Sequence, residues 1–253
     1  MKEATGQSRS KWEKKVNKLS ALNILIFSAS VIADATDNEI FLQQSGDTLT
    51  LTIDQIGYGN KFCGTISSGA CASDMMITGS NITFNLDQIG NSNQLYGPIV
   101  LSSSTIDMVF TGDSNIFDWN IGYATAADSM DLDLAVTGDS NQWDFDIGYN
   151  QSATFLNYDL TLTGSSNVFT TVVDSDNVKW EWDLTGGSND INTEQKDADQ
   201  SLTVEYDGSD GDVDIVQQSG TCPTGVTSCS GIIDLDITSD DATITINQKD
   251  TAD

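Results

Sequence analysis

Hydrophobic and polar residues alternate with a period of two along most of this chain. From Ile40 the series Ile40, Leu42, Gln44 is followed, after a polar turn, by Leu51, Ile53 and Gln55. The figure returns as Met108 and Phe110 before Phe117, Trp119 and Ile121. It closes the chain as Leu235 and Ile237 before Ile244, Ile246 and Gln248. A period of two predicts strands with one face buried.

The turns between the strands carry a repeated marker. It reads TGSN at 78–81, TGDSN at 111–115 and 137–141, TGSSN at 163–167 and TGGSN at 185–189, with weaker copies at 45–49, 207–211 and 238–242. The marker ends are spaced 32, 34, 26, 26, 22, 22 and 31 residues apart, so 22 is the basic unit and the longer intervals carry insertions after the second strand. Eight rungs are predicted, at about 39–57, 73–90, 105–122, 131–148, 157–174, 179–196, 201–218 and 232–249. The second reads as slipped by one residue, with Ile82, Phe84 and Leu86 inward. A two-strand unit is marginal in water and gains stability by stacking on its neighbours. The expected fold is therefore all-β: a β-solenoid of eight strand-turn-strand repeats forming two facing parallel sheets, as a single domain over 36–253.

The last inward position of the second strand holds Gln55, Gln88, Ile121, Ile147, Val173, Gln195, Gln217 and Gln248. Glutamine stands at both ends of the array and aliphatics fill the middle. Stacked layers lie about 4.8 Å apart, so each amide can bond the next and form a ladder. A buried amide without a partner costs about 1–3 kcal/mol.

Charge changes the picture next. The chain has 253 residues, 38 acidic against 10 basic, and no histidine. Lys2, Arg9, Lys11, Lys14, Lys15 and Lys18 precede the apolar run LSALNILIFSASVIA and the small-residue site Ala33-Asp34-Ala35. That order predicts a secretory signal peptide over 1–35, since about 14 apolar residues fall short of the roughly 20 that span a bilayer. Cleavage after Ala35 removes six of the 10 basic and three of the 38 acidic residues, leaving 4 against 35. Such a chain is repelled by nucleic acid and anionic membranes, and it inserts in no membrane. In an exported protein the local cysteine pairs predict two small disulfide loops, Cys63–Cys71 and Cys222–Cys229. Zinc is disfavoured, because histidine and a C-x-x-C spacing are both missing.

One outward position repeats an acid: Asp74, Asp107, Asp133, Asp159, Glu181 and Asp234, interrupted by Phe41 and Thr203. Neighbours in such a column stand about 5 Å apart, inside the roughly 8 Å screening length of physiological salt. The favoured reading is a solvated acidic face. The competing one is calcium held by Asp107, Asp133, Asp159 and Glu181, oxygen ligands suited to a hard cation. Catalysis has little footing, because the chain lacks a phosphate loop and a nucleophile elbow, and a repeated surface makes no unique pocket. No enzyme is expected. Carboxylate-pair glycoside hydrolysis and an ice-binding threonine face (Thr48–Thr52, Thr243–Asn247) are minor readings; the threonines do not continue through the middle units.

Gln55-Ile56-Gly57-Tyr58-Gly59-Asn60 and Gln88-Ile89-Gly90-Asn91-Ser92-Asn93 resemble the curlin repeat, with weaker echoes at 120–122 and 146–148. The resemblance implies an exported subunit that polymerises into extracellular amyloid-like fibres for adhesion and biofilm matrix, with an outer-membrane secretion channel as a further partner. The end strands fit that expectation. Ile40, Leu42 and Gln44 open the array, Ile244, Ile246 and Gln248 close it, and no capping sequence is evident at either end. Bare edges recruit other strands, and head-to-tail addition gives an open filament. The alternative is a monomeric surface adhesin, calcium-stabilised or not, binding through the insertions after units 1, 2, 3, 4 and 7.

Overall fold

The computed structural model describes residues 24–29, 39–40, 42–57, 60–65, 72–73, 75–90, 92–121, 128–148, 153–196, 200–219 and 231–250. All regular structure among them is strand. The first strands are β1 (Ile24–Ala29), β2 (Glu39–Ile40), β3 (Gln43–Ser45), β4 (Thr50–Ile56), β5 (Lys61–Phe62), β6 (Met76–Ser80) and β7 (Thr83–Ile89). Then come β8 (Gln94–Ser102), β9 (Thr105–Thr111), β10 (Ile116–Ile121), β11 (Asp131–Thr137), β12 (Gln142–Ile147) and β13 (Ala153–Thr163). The last are β14 (Val168–Thr185), β15 (Asp190–Lys196), β16 (Gln200–Ser209), β17 (Asp212–Ser219), β18 (Gly231–Asp240) and β19 (Thr243–Asp250).

The chain winds between two sheets, and every pairing is parallel. Sheet A runs β1, β4, β7, β9, β11, β13, the second half of β14, β16, β18. Sheet B runs β2 with β3, then β5 with β6, β8, β10, β12, the first half of β14, β15, β17, β19. Two parallel sheets face each other as a β-solenoid.

Alternation decides which side chains enter. In β9 Ile106, Met108 and Phe110 are buried while Asp107 and Val109 face out. The core between the sheets is rich in stacked aromatics. Trp143 lies 3.9 Å from Phe117 and 5.3 Å from Phe169, ring to ring, and Trp119 lies 5.6 Å from Phe145. Offset stacking adds about 0.5–1.5 kcal/mol per pair beyond area burial.

The predicted phase of the units needs correcting. Gln94–Ser102, expected as an insertion, is strand β8 of sheet B. The second strands of the first two units, β4 and β7, are therefore in register with the first strands of the rest: Ile56, Ile89, Thr111 and Thr137 are neighbours. The true counterparts of TGDSN are Ile56–Asn60 and Ile89–Asn93. The markers at 45–49 and 78–81 form the other turn, from sheet B back to sheet A. The slip of the second unit also disappears: Leu51 pairs with Phe84 and Ile53 with Leu86. Thr48 and Asn81 share the same left-handed corner, φ 62° and 54°.

The A-to-B turn explains its own sequence. In Gly-x-x-Asn the glycine sits under its neighbour so closely that a Cβ on Gly138 would lie 2.1 Å from the carbonyl oxygen of Gly112, at φ 140°. The asparagine enters the core. Asn60, Asn93, Asn115, Asn141, Asn167 and Asn189 are all buried. Each of the first five donates its backbone N–H to the Oδ1 of the next, at 3.2, 2.7, 2.9, 2.9 and 3.0 Å. Several fold back to their own turn as well: Asn115 Nδ2 donates to the Gly112 carbonyl at 2.9 Å and Asn93 Nδ2 to that of Gly90 at 2.8 Å.

Candidate functional site

The two ends of the stack are the candidate site. At the last rung the inward residues of β19 have no layer beyond them among the described residues: Ile244 is 37 % and Ile246 47 % exposed, and Gln248 is exposed too. Ile233, Leu235 and Ile237 of β18 are only partly covered. At the first rung of sheet B, Leu42 is buried, and Ile40 and Gln44 are half-buried.

Register ties these ends together. From Ile40 the partners run through Phe62, Leu95, Phe117, Trp143, Phe169, Ile191 and Val213 to Ile244. From Gln44 they run through Ile77, Ile99, Ile121, Ile147, Val173, Gln195 and Gln217 to Gln248. Both ends of sheet B thus present the same inward order, aliphatic, aliphatic, glutamine, in the same columns.

The glutamines form two ladders rather than the single column expected, because of the phase change at β8. In sheet A, Gln88 Nε2 donates to Gln55 Oε1 at 2.6 Å, and Gln55 Nε2 to the Lys61 carbonyl at 3.2 Å. In sheet B, Gln217 donates to Gln195 and Gln248 donates to Gln217, each at 2.8 Å. Both glutamine-to-glutamine donations in sheet B point back toward the chain's beginning, so the side-chain carbonyl of Gln248 is left for the open end. The asparagine ladder is not among the sequence expectations, although the recurrent Gly-x-x-Asn is its signal in the chain.

The acid column is present in sheet A, where Asp107, Asp133, Asp159 and Glu181 are successive register partners, continued by Thr203 and Asp234. Asp74 lies outside the described residues, and β6, which follows it, belongs to sheet B. Partial burial and then the neighbouring acids raise the pKa of Asp133 and Asp159. Asp87 follows the same causes in that face, as do Asp118 and Asp146 in sheet B. Some of the charge is met within the protein: Lys179 pairs with Glu181 at 2.8 Å, and Asn157 Nδ2 donates to Asp131 at 2.8 Å. The column supplies one carboxylate per layer. Among the described residues no three acids, cysteines or histidines gather as a metal-holding group.

Comparison with protein-family models, curated proteins and solved structures finds no match to this chain.

The expected loops divide differently. Cys63 is buried and is not a free thiol; Cys71, Cys222 and Cys229 lie outside the described residues, so both disulfide pairings stand as proposals. The insertion holding Cys63 and Cys71 interrupts sheet B between β5 and β6. The one holding Cys222 and Cys229 lies between β17 and β18, where the chain crosses to sheet A. The insertions after units 3, 4 and 7 fall at the same crossing from sheet B to sheet A, whereas the one after unit 1 lies within sheet B and the one after unit 2 is largely β8 itself.

Proposed function

We propose that this chain is a secreted structural subunit, curlin-like in design, that stacks head to tail into extracellular amyloid-like filaments serving adhesion and biofilm matrix. The observation that carries the reading is the identity of the end columns in sheet B. Placing one molecule's β19 beside the next one's β2 and β3 sets Ile244 on Ile40, Ile246 on Leu42 and Gln248 on Gln44. The amide of Gln44 then donates to the outward carbonyl of Gln248, and the ladder crosses the junction without a break. The exposed apolar faces of the last rung become interior, and unpaired strand edges gain partners. The outer faces stay acidic, which keeps filaments apart laterally.

Ile246→Lys tests this. Ile246 is nearly half exposed in the single molecule, so its replacement leaves the melting temperature within a few degrees of wild type. A lysine buried unpaired at the junction blocks growth from that end. Wild-type protein is expected to sediment as unbranched filaments, and the variant to stay soluble and to stop wild-type elongation when mixed in. Filaments from both proteins alike would overturn the reading.

A further inference from the structure

Sheet B contains nine strand layers among the described residues: β2 with β3, β5 with β6, β8, β10, β12, β14, β15, β17 and β19. From β4 onward sheet A contains eight: β4, β7, β9, β11, β13, β14, β16 and β18. The described array beyond residue 36 begins and ends in sheet B. When β19 of one molecule abuts β2 and β3 of the next, sheet A is one strand short at every junction. β18 and the next molecule's β4 then face each other across two layer spacings, about 9.6 Å, too far to hydrogen-bond.

The missing layer is present in the chain. β1 (Ile24–Ala29), which lies inside the predicted leader, pairs in parallel with β4, Ile24 opposite Thr50 through Ala29 opposite Gln55. It extends sheet A by one layer in the same direction and register as every other strand. Leu25, Phe27 and Ala29 are the register partners of Leu51, Ile53 and Gln55, and the side chains of those three β4 residues are buried. With β1, both sheets count nine.

Resting on the head-to-tail reading, we infer that Ile24–Ala29 is a permanent strand of the working molecule rather than discarded leader. It is the layer that joins β18 of one subunit to β4 of the next. Cleavage after Ala35 and a closed junction exclude one another, so assembled chains begin at or before Ile24. The apolar pattern that reads as an export leader doubles as the alternation of a strand.

Full-chain protein, Phe27→Pro and Phe27→Ile discriminate the possibilities. Proline removes a ladder donor and bars the strand, whereas isoleucine keeps it. Hydrogen exchange on the monomer should find the β4 amides that face β1 as protected as those of β7 in the wild type and Phe27→Ile, and freely exchanging in Phe27→Pro, while the β4 amides that face β7 stay protected in all three. The critical concentration for filament growth should rise about tenfold or more in Phe27→Pro alone. Mass spectrometry of filaments should give an N-terminus at or before Ile24. Equal β4 exchange in all three proteins, or filaments built of chains starting at Thr36, overturns the inference. If none of the proteins polymerises but the β4 protection difference holds, the head-to-tail reading falls and β1 keeps its place in sheet A.

Discussion

At the residue scale the fold is held by one short turn written six times. Its glycine answers two demands, a left-handed backbone and a carbonyl directly overhead, and no other residue meets both. Gly138→Ala should therefore cost about 2–3 kcal/mol, read as a lowered urea midpoint with unchanged slope. The asparagine is the more unusual element. Asn115 accepts the N–H of Asn93 and donates to the Gly112 carbonyl, so Asn115→Ala leaves two buried groups unpaired. The expected loss is about 2–4 kcal/mol in the same assay. Part of this was legible. The glutamines declare themselves, since an amide at an inward strand position needs a partner one layer away. The asparagines do not, because Asn beside Gly in a polar turn has a sufficient local explanation. Only the register shows that they point into the core and bond across layers.

At the scale of the strand, alternation revealed the elements and the period of the markers misled their grouping. β8 was overlooked because Gly97-Pro98 stands in its middle, and that pair reads as a turn. The strand is nonetheless paired on both sides, with β6 and β10. Once it is missed, units counted by the Thr-Gly marker merge two different turns, and the ladder and the acid column are both misassigned at their beginnings. The acidic faces belong to this scale too. Asp87, Asp118, Asp133, Asp146 and Asp159 have pKa values raised above 3.8 first by partial burial and then by neighbouring acids such as Asp54, Asp107, Asp131, Asp144 and Glu181. Protons therefore bind the folded chain more readily than the unfolded one. The stabilisation is fully present below 3.8 and is lost as pH rises through the raised values. Acidification from neutral to about pH 4 should raise the melting temperature in scanning calorimetry, where many proteins lose stability. A fall over that range would show that the columns are not under electrostatic strain.

At the scale of the whole molecule, a stack of parallel layers gains each increment of stability from the next layer, so its last rungs are its weakest. Here those rungs are aliphatic and aligned. The exposed isoleucines at the close of the array match the columns in which it opens, a relation that no local pattern conveys and that appears only when register is followed through every layer. In the favoured reading the acidic column of sheet A is a solvated face, one column acid per layer through Asp107, Asp133, Asp159 and Glu181. Chelation with EDTA should leave the melting temperature unchanged, whereas added monovalent salt should raise it by screening the column. The most direct test is cryo-electron microscopy of whatever the purified full chain forms at high concentration. Polar, unbranched filaments are expected, with layers about 4.8 Å apart along the axis and a subunit repeat of about 43 Å, nine layers, and with Gln248 seated against Gln44 of the next molecule. Monomers that persist at every concentration, or filaments in which like ends meet, would contradict the head-to-tail reading.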